Sequence, residues 1–193
     1  MDKIEKFFDE KASYFANHDP HSDEEKLSLL NKALVQKGDV VLDVGCGCGV
    51  ITPLIFDLTS SDVYAIDLSN NMIQIAKNKN KLNDKLHFIH GNFLTYKFDN
   101  KFDKIIIYNA YPHFLDPTTL AKICYLNLNK GGILAILHSI SRNELNSHHE
   151  AHANKVSRML FSLNEEVKYF NGYFDVIRKE ENSKSISIVL KKK

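Results

Sequence analysis

Residues 40–49 read Val-Val-Leu-Asp-Val-Gly-Cys-Gly-Cys-Gly and carry the strongest chemical signal in the chain. The apolar run is typical of a strand buried on both faces, and Asp43 comes near its end. The three alternating glycines predict a turn that takes positive φ and lets a ligand approach the backbone closely. Apolar residues recur at helical spacing from Thr52 onward. Strand, glycine turn and helix together indicate a site for a nucleotide-like cofactor at the edge of a parallel sheet.

The glycine spacing differs from that of a dinucleotide site, which needs G-x-G-x-x-G. Val50 stands at the third glycine position when counting starts at Gly45, and Thr52 stands there when it starts at Gly47. Asp43 would repel a pyrophosphate. An acidic residue at this place suits a cofactor that carries a positive charge or an ammonium group.

A second acidic residue follows at an informative distance. Residues 62–67 predict another strand, which ends in Asp67, 20 positions beyond Gly47. An acid about 20 positions after a glycine turn is placed to accept hydrogen bonds from ribose hydroxyls. The two acids therefore predict a cofactor with a cationic part and a ribose.

These segments resemble the motifs of class I S-adenosylmethionine-dependent methyltransferases, from about Tyr14 to the C-terminus. Leu42 to Gly49 resembles motif I, and Asp67 to Met72 resembles the family's D-x-S-x-x-M. Three later segments are also similar to the family. Gly91-Asn92-Phe93 has Asn92 where the family usually has Asp, and Phe102-Asp103 opens the fourth strand. Asn129-Lys130-Gly131-Gly132 has Lys130 where proline is common.

The resemblance implies where S-adenosylmethionine lies. Its sulfonium and amino-acid part would lie over the glycine turn, its ribose at Asp67, and its adenine beside Met72, with the Asn92 oxygen accepting from the adenine amino group. The implied cofactor residues are Tyr14, Asp43, Gly45, Cys46, Gly47, Gly49, Asp67, Leu68, Met72, Asn92, Phe93 and Asn109.

The spacing of apolar residues predicts one α/β domain. Expected helices lie at 2–16, 23–36, 50–59, 70–81, 116–128 and 163–170, and expected strands at 39–44, 62–66, 86–89, 103–108, 132–138, 173–178 and 186–190. This alternation is typical of a Rossmann-like, doubly wound parallel sheet. The resemblance implies seven strands in the order 3-2-1-4-5-7-6, with strand 7 antiparallel. We expect residues 1–193 to form a single methyltransferase domain, made of an N-terminal helical cap or lid (1–37), a cofactor-binding core (38–138), and a substrate-side loop with the closing strand pair (139–193).

Composition limits the partners. The net charge of +1 in 193 residues gives no global field for nucleic acid or an acidic membrane. There is no apolar run of about 20 residues, the N-terminus does not resemble a signal peptide, and three cysteines make no disulfide framework. Cys46 and Cys48 are too close for a usual zinc spacing. We therefore expect a cytoplasmic monomer or homodimer that binds neither membrane nor nucleic acid.

The chain carries nine histidines, and five of them follow the fourth and fifth predicted strands. These five are His113, His138, His148, His149 and His152. Because the carboxyl ends of parallel strands meet at one edge, we expect His113, His138 and His149 to line one pocket above the cofactor sulfur.

Three interpretations of these histidines stay open. They are incidental residues on a polar helix, they perform acid–base catalysis, or they bind a divalent metal such as zinc. Under the metal interpretation the ligands are His113, His138 and His149. His152 is a further candidate because His148 and His152 are spaced i, i+4.

The sequence predicts an S-adenosylmethionine-dependent methyltransferase acting on a small molecule, with histidine-assisted or metal-assisted activation of the acceptor. The chain has no N-P-P-Y tetrapeptide after the fourth strand, which nucleic-acid amino-methylating members carry. A non-catalytic module of the same fold that binds S-adenosylmethionine or a metal is the alternative. A nicotinamide oxidoreductase is disfavoured by the glycine spacing and Asp43.

Overall fold

The computed structural model describes residues 3–153 and 155–193 as helices packed on a seven-stranded sheet. The strand order is β3-β2-β1-β4-β5-β7-β6. The strands are β1 (Val41–Val44), β2 (Val63–Asp67), β3 (Leu86–His90), β4 (Phe102–Tyr108), β5 (Leu128–His138), β6 (Phe174–Glu181) and β7 (Ile186–Lys192). β7 runs antiparallel to β5 and to β6, and the other neighbouring pairs are parallel. The predicted fold class, strand order and antiparallel strand are confirmed.

Seven α-helices accompany the sheet in the described ranges. They are α1 (Lys3–Asn17), α2 (Asp23–Leu30), α3 (Thr52–Thr59), α4 (Asn70–Lys79), α5 (Pro117–Asn127), α6 (Arg142–His152) and α7 (Leu163–Glu166). Short 3-10 helices lie at Asn31–Ala33, Tyr111–His113 and Val167–Phe170. None of the helices in these ranges is long and apolar enough to span a bilayer.

The two faces of the sheet bury separate apolar clusters. On one face, residues such as Ile105, Ile107 and Ile136 pack against α5, α6 and the segment around Phe170. On the other face, alternate strand residues pack against α2 and α3. Burial on both faces explains the unbroken apolar runs of the central strands.

The largest differences from the predicted elements concern α2, β5 and α6. The second helix ends at Leu30, well before the predicted end at 36, and its chain continues in a 3-10 turn. Leu34 then takes φ 57°, and this left-handed conformation ends the helix before Gly38. β5 begins at Leu128, earlier than the predicted start at 132, and the segment after β5, for which no helix bounds are predicted, contains helix α6. The predicted first helix begins at residue 2, which lies outside the described residues.

Candidate cofactor and acceptor site

The glycine turn fits closely between two other elements. Gly45 has φ 71°, and a Cβ there would lie 2.5 Å from the Cβ of Ala110, just after β4. Gly49 has φ 75°, and a Cβ there would lie 3.2 Å from the Cβ of Ala76 on α4. Both the backbone conformation and the packing therefore require glycine at these two positions.

Asp67 ties the glycine turn to the end of β2. Its Oδ2 accepts from the Gly47 amide at 2.8 Å and its Oδ1 accepts from the Ser69 amide at 2.8 Å. Burial raises the pKa of the carboxyl, and the two amide hydrogen bonds oppose that shift. Each oxygen keeps a second lone pair, so both can accept a further hydrogen bond, as the predicted contact with ribose hydroxyls requires.

Asp43 is a buried carboxylate, 1% exposed, below the same turn. Its Oδ2 accepts from the Thr52 hydroxyl at 2.7 Å, whereas Oδ1 has no hydrogen-bond partner among the residues described. Burial raises the pKa of Asp43 to about 7, and the charge of Asp67 adds to the shift. A cationic ligand group would supply the missing partner, so the residues present fit the predicted sulfonium and ammonium of S-adenosylmethionine.

Helix α1 lies across this edge of the sheet. The Asp9 carboxylate accepts from the Ser69 hydroxyl at 2.6 Å and from the Asn71 amide at 3.0 Å, at the start of α4. Ala12 packs with Cys48 of the glycine turn, and the Phe8 ring lies 4.8 Å from the His113 ring. The helix thus covers the predicted cofactor site.

Tyr14, which is predicted as a cofactor residue, lies on an exposed part of α1. It is 58% exposed and stacks on His18, with ring centroids 4.4 Å apart. Asp9, Ala12 and Phe8 occupy the inner side of α1 instead. The periodicity of α1 did not distinguish these residues from Tyr14 because both faces of the helix carry aromatic rings.

Three other predicted cofactor residues, Leu68, Asn92 and Phe93, differ in their surroundings. Leu68 precedes Ser69, which caps α4 by accepting from the Met72 amide at 3.1 Å. Asn92 is exposed, and its Oδ1 accepts from the Leu94 amide at 2.9 Å. Phe93 is buried in the apolar cluster on the α5 face.

Asn109 follows β4 with φ 54°. Its side-chain amide donates to the Ser139 hydroxyl at 2.8 Å, and its Oδ1 accepts from the Ser139 amide at 3.0 Å. The Ser139 hydroxyl in turn lies 2.8 Å from Nε2 of His21. Asn109 therefore joins the ends of β4 and β5, a role that the sequence did not indicate.

Three of the predicted histidines come together at the edge next to α1. The ring centroids of His113 and His149 lie 5.2 Å apart. His138 ends β5 and is 0% exposed. It lies near both rings, since positive charge on His113 or His149 would lower the pKa of His138. We call His113, His138 and His149 the imidazole cluster.

Burial keeps the imidazole cluster neutral. It lowers the pKa of His138 to about 3 and that of His149 to about 4, and it also lowers the pKa of His113. Both ring nitrogens of His138 and Nδ1 of His149 are buried without a hydrogen-bond partner in the described ranges. Unpaired buried nitrogens are rare in folded proteins and indicate a bound partner or a functional role.

A buried ion pair fixes the segment that covers the imidazole cluster. Arg158 donates to both carboxylate oxygens of Glu166, at 2.9 and 2.7 Å, and Glu166 is 0% exposed. Glu166 also accepts from the Tyr111 hydroxyl at 2.8 Å. The Arg158 amide donates to the Pro112 carbonyl at 3.0 Å, next to His113. No local sequence pattern marks Arg158 and Glu166 as partners, because their pairing depends on how the chain folds back over β4.

The structure does not support the predicted metal site. Within the described ranges, no group of three or more His, Cys, Asp or Glu side chains is arranged to hold a metal ion. His148 and His152 are exposed, with ring centroids 5.0 Å apart, and lie on the outer side of α6. They therefore do not extend the imidazole cluster.

Comparison with known proteins agrees with this geometry. A family model described as a methyltransferase domain matches residues 35–184. The sterol 24-C-methyltransferase ERG6 of Saccharomyces cerevisiae is 34% identical over 130 residues, which cover 64% of this chain and 33% of the relative. The demethylmenaquinone methyltransferase of Bacillus licheniformis is 31% identical over 142 residues, which cover 71% of this chain and 60% of the relative. The chain thus spans from about a third to 60% of the length of these relatives.

Solved structures share the fold at low sequence identity. A chain from the complex between the Haloferax volcanii Trm112 methyltransferase activator and a methyltransferase has a TM-score of 0.85, with 17% identity, and the match covers 98% of this chain and 97% of that one. The N-methyltransferase NodS from Bradyrhizobium japonicum WM9, in complex with S-adenosyl-L-homocysteine, has a TM-score of 0.76, with 14% identity, and the match covers 99% of each chain.

Proposed function

The chain belongs to the methyltransferase-domain family, of the class I S-adenosylmethionine-dependent kind, and we propose that it transfers a methyl group from S-adenosylmethionine to a small-molecule acceptor. The observation that carries this proposal is the glycine turn held between two carboxylates. Asp43 offers a buried oxygen without a partner in the described part of the chain, and Asp67 offers lone pairs beside the turn.

Each carboxylate has its own role in holding the cofactor. Asp43 faces the ammonium group of the amino-acid part, because a positive group would restore the charged form of this desolvated carboxylate. Asp67 accepts from the ribose hydroxyls while its amide contacts keep the glycine turn in place. When bound, S-adenosylmethionine supplies a methyl group attached to a positively charged sulfur.

The acceptor would bind at the imidazole cluster. Its three rings follow the ends of β4 and β5 or lie on α6, at the carboxyl edge where ligands of doubly wound sheets bind. The names of the relatives, a sterol and a demethylmenaquinone methyltransferase, support an acceptor that is a small molecule. The net charge of +1 also speaks against a polyanionic acceptor.

Calorimetry with S-adenosylhomocysteine tests the cofactor site. We expect the wild type to bind it and Asp67→Ala to lose about 2–4 kcal/mol of binding free energy, because two charge-assisted hydrogen bonds are removed. Asp62→Ala is the matched control, since Asp62 directly precedes β2, at the opposite end from Asp67, and is paired with His87 at 2.7 Å. Thermal melting of each variant checks that it is folded.

Two results would contradict the proposal in different ways. Binding of NADH without binding of S-adenosylhomocysteine would overturn the cofactor assignment. Tight binding of S-adenosylhomocysteine, with no methyl transfer to any member of a broad panel of small acceptors, would favour the non-catalytic binding module.

A further inference from the structure

We propose that Glu166 is a positioning residue for the acceptor site. Through Arg158 it holds the covering segment, residues 156–161, in the place where the Val156 carbonyl orients the His113 ring. This inference rests on the proposed function, in which the acceptor binds at the imidazole cluster. It adds a residue that acts on the site without touching the acceptor.

The orientation of the His113 ring depends on the covering segment. Its Nδ1 lies 3.0 Å from the Val156 carbonyl oxygen. A carbonyl can only accept, so Nδ1 of the neutral ring carries the hydrogen and Nε2 holds a lone pair. Burial lowers the pKa of His113, which keeps the ring neutral at neutral pH. Nε2 has no hydrogen-bond partner in the described ranges, so its lone pair is available to a donor group of the acceptor.

The covering segment is tied down on two sides. The Arg158 amide donates to the carbonyl of Pro112, directly before His113, at 3.0 Å. The Asn146 side chain of α6 donates to the Leu160 carbonyl at 2.9 Å, and its Oδ1 accepts from the Leu160 amide at 2.8 Å. The covering segment therefore joins the turn after β4 to α6, the two elements that carry rings of the imidazole cluster.

Glu166 accepts four hydrogen bonds at this junction. Its Oε1 accepts from Nη1 of Arg158 at 2.9 Å and from the Phe161 amide at 2.8 Å. Its Oε2 accepts from Nη2 of Arg158 at 2.7 Å and from the Tyr111 hydroxyl at 2.8 Å. Arg158 and Phe161 belong to the covering segment, and Tyr111 lies two residues before His113. One carboxylate thus connects the covering segment to the turn that carries His113.

Arg158 depends on Glu166 to compensate its charge. The guanidinium carbon lies 4.6 Å from the centroid of the Tyr111 ring, and Nε is buried without a partner in the part of the chain that the structure describes. No other carboxylate in the described ranges pairs with Arg158. Loss of the Glu166 charge would leave a buried cation and so disfavour the present place of the covering segment. An amide in place of the carboxylate would also turn its NH2 group toward an N–H of Arg158, whichever way it is placed.

The ion pair supplies geometry more than stability. Removing two charges from water costs much of what their attraction returns, and apolar residues often replace a buried ion pair without loss of stability. Bidentate pairing of a guanidinium with a carboxylate, in contrast, is strict in direction and distance. We therefore expect changes at Glu166 to alter the His113 ring even where the fold is kept.

Nitrogen nuclear magnetic resonance of the His113 ring tests the positioning role without an acceptor. The protein is isotope-labelled and saturated with S-adenosylhomocysteine, and the His113 signals are those absent from His113→Gln. We expect the wild-type ring to carry its hydrogen on Nδ1. In Glu166→Gln the hydrogen should move to Nε2, the form that a free histidine ring prefers in water, because the Val156 carbonyl is no longer held in place.

The matched control is Glu165→Gln, at the neighbouring residue of α7. Glu165 is exposed, and its carboxylate accepts from the amide and hydroxyl of Ser162. This variant should leave the hydrogen of His113 on Nδ1.

A double variant, Arg158→Met with Glu166→Leu, separates positioning from stability. It removes both charges together, so its melting temperature should lie closer to that of the wild type than the melting temperature of Glu166→Gln does. The hydrogen of His113 should still move to Nε2, since an apolar contact does not fix direction. The double variant also supplies the tautomer measurement if Glu166→Gln does not fold.

Methyl transfer gives a second readout. With an acceptor that the wild type methylates, Glu166→Gln should lower kcat roughly tenfold, because one oriented hydrogen bond to the acceptor is lost. The KM for S-adenosylmethionine should stay unchanged, since Glu166 lies away from the glycine turn.

The inference is overturned if the wild-type ring carries its hydrogen on Nε2, if the hydrogen stays on Nδ1 in folded Glu166→Gln or in the double variant, or if kcat is unchanged. Calorimetry should show that each of these variants binds S-adenosylhomocysteine as the wild type does. A failure of the proposed function is different, because the wild type itself would then not bind this ligand or not transfer a methyl group.

Discussion

Asp43 is a buried carboxylate with one oxygen bonded to Thr52 and the other without a partner in the described part of the chain. Leaving such a group unpaired costs stability, and the cost is reflected in a pKa raised to about 7. A protein tolerates this cost where a ligand compensates for it. At the scale of single residues, cofactor binding and the protonation of Asp43 should therefore be coupled.

We predict that S-adenosylhomocysteine binding releases about one proton near pH 6, because the ammonium group of the ligand favours the charged carboxylate. Affinity should fall by up to roughly tenfold for each unit of pH below about 7. Calorimetry in buffers of different ionisation enthalpy measures the released protons. Asp43→Asn should abolish the release, and an unchanged release in that variant would show that another group carries it.

Helix α1 connects three separate parts of the site. It contacts α4 through Asp9, the glycine turn through Ala12 and the imidazole cluster through Phe8. Its outer face is exposed at Tyr14, which is 58% accessible. A helix held by few buried side chains over a ligand site opens at lower free energy than the sheet does. The predicted N-terminal cap or lid (1–37) is consistent with this placement, although Met1 and Asp2 lie outside the described residues.

We predict that S-adenosylhomocysteine slows hydrogen exchange of the amides of α1, because the ligand would be enclosed between the helix and the glycine turn. Asp9→Ala should speed exchange in α1 and the dissociation of the ligand, since the hydrogen bonds to Ser69 and Asn71 are lost. Glu10→Ala is the control, because Glu10 lies on the exposed side, 3.9 Å from Lys6. Unchanged exchange on ligand addition would indicate that α1 only packs on the domain.

Over the whole molecule, buried titratable groups make stability depend on pH in two opposing ways. His138 and His149 stay neutral in the folded protein down to pKa values of about 3 and 4, whereas their unfolded rings protonate below about 6.5. The unfolded chain therefore binds more protons in that window, and these rings reduce stability as pH falls. Asp43 has the opposite effect on stability. Because its pKa is raised to about 7 in the folded state, the folded protein binds a proton there at higher pH than the unfolded chain does, and stability rises as pH falls.

We predict that the free energy of unfolding of His149→Leu rises by about 3 kcal/mol relative to that of wild type as pH falls from about 6.5 to 4, whatever its stability at neutral pH. The free energy of unfolding of Asp43→Asn should fall relative to that of wild type over the same pH range. Urea denaturation at several pH values measures both differences. His148→Leu serves as the exposed control, and a parallel pH dependence of His149→Leu and wild type would show that the folded ring protonates normally.

The sequence by itself determined the sheet and the acidic residues at its carboxyl edge. Strand identity follows from local apolar runs, and the place of Asp43 and Asp67 follows from strands that must end at one edge. The cap of α4 by Ser69 is likewise a local interaction, since it joins residues three positions apart. The end of α2 was not predictable, because Leu34 adopts its left-handed conformation without a glycine.

Only the tertiary structure decided which side chains meet across the edge of the sheet. The sequence predicts that His113, His138 and His149 lie near one another, and the rotation of α6 in the structure leaves His148 exposed and His149 buried. The hydrogen bonds of Asp9 to α4, of Arg158 to Glu166 and of the His113 ring to the Val156 carbonyl come from segments that fold back over the sheet. Such contacts depend on the path of the backbone in three dimensions, and no periodicity of the sequence encodes them.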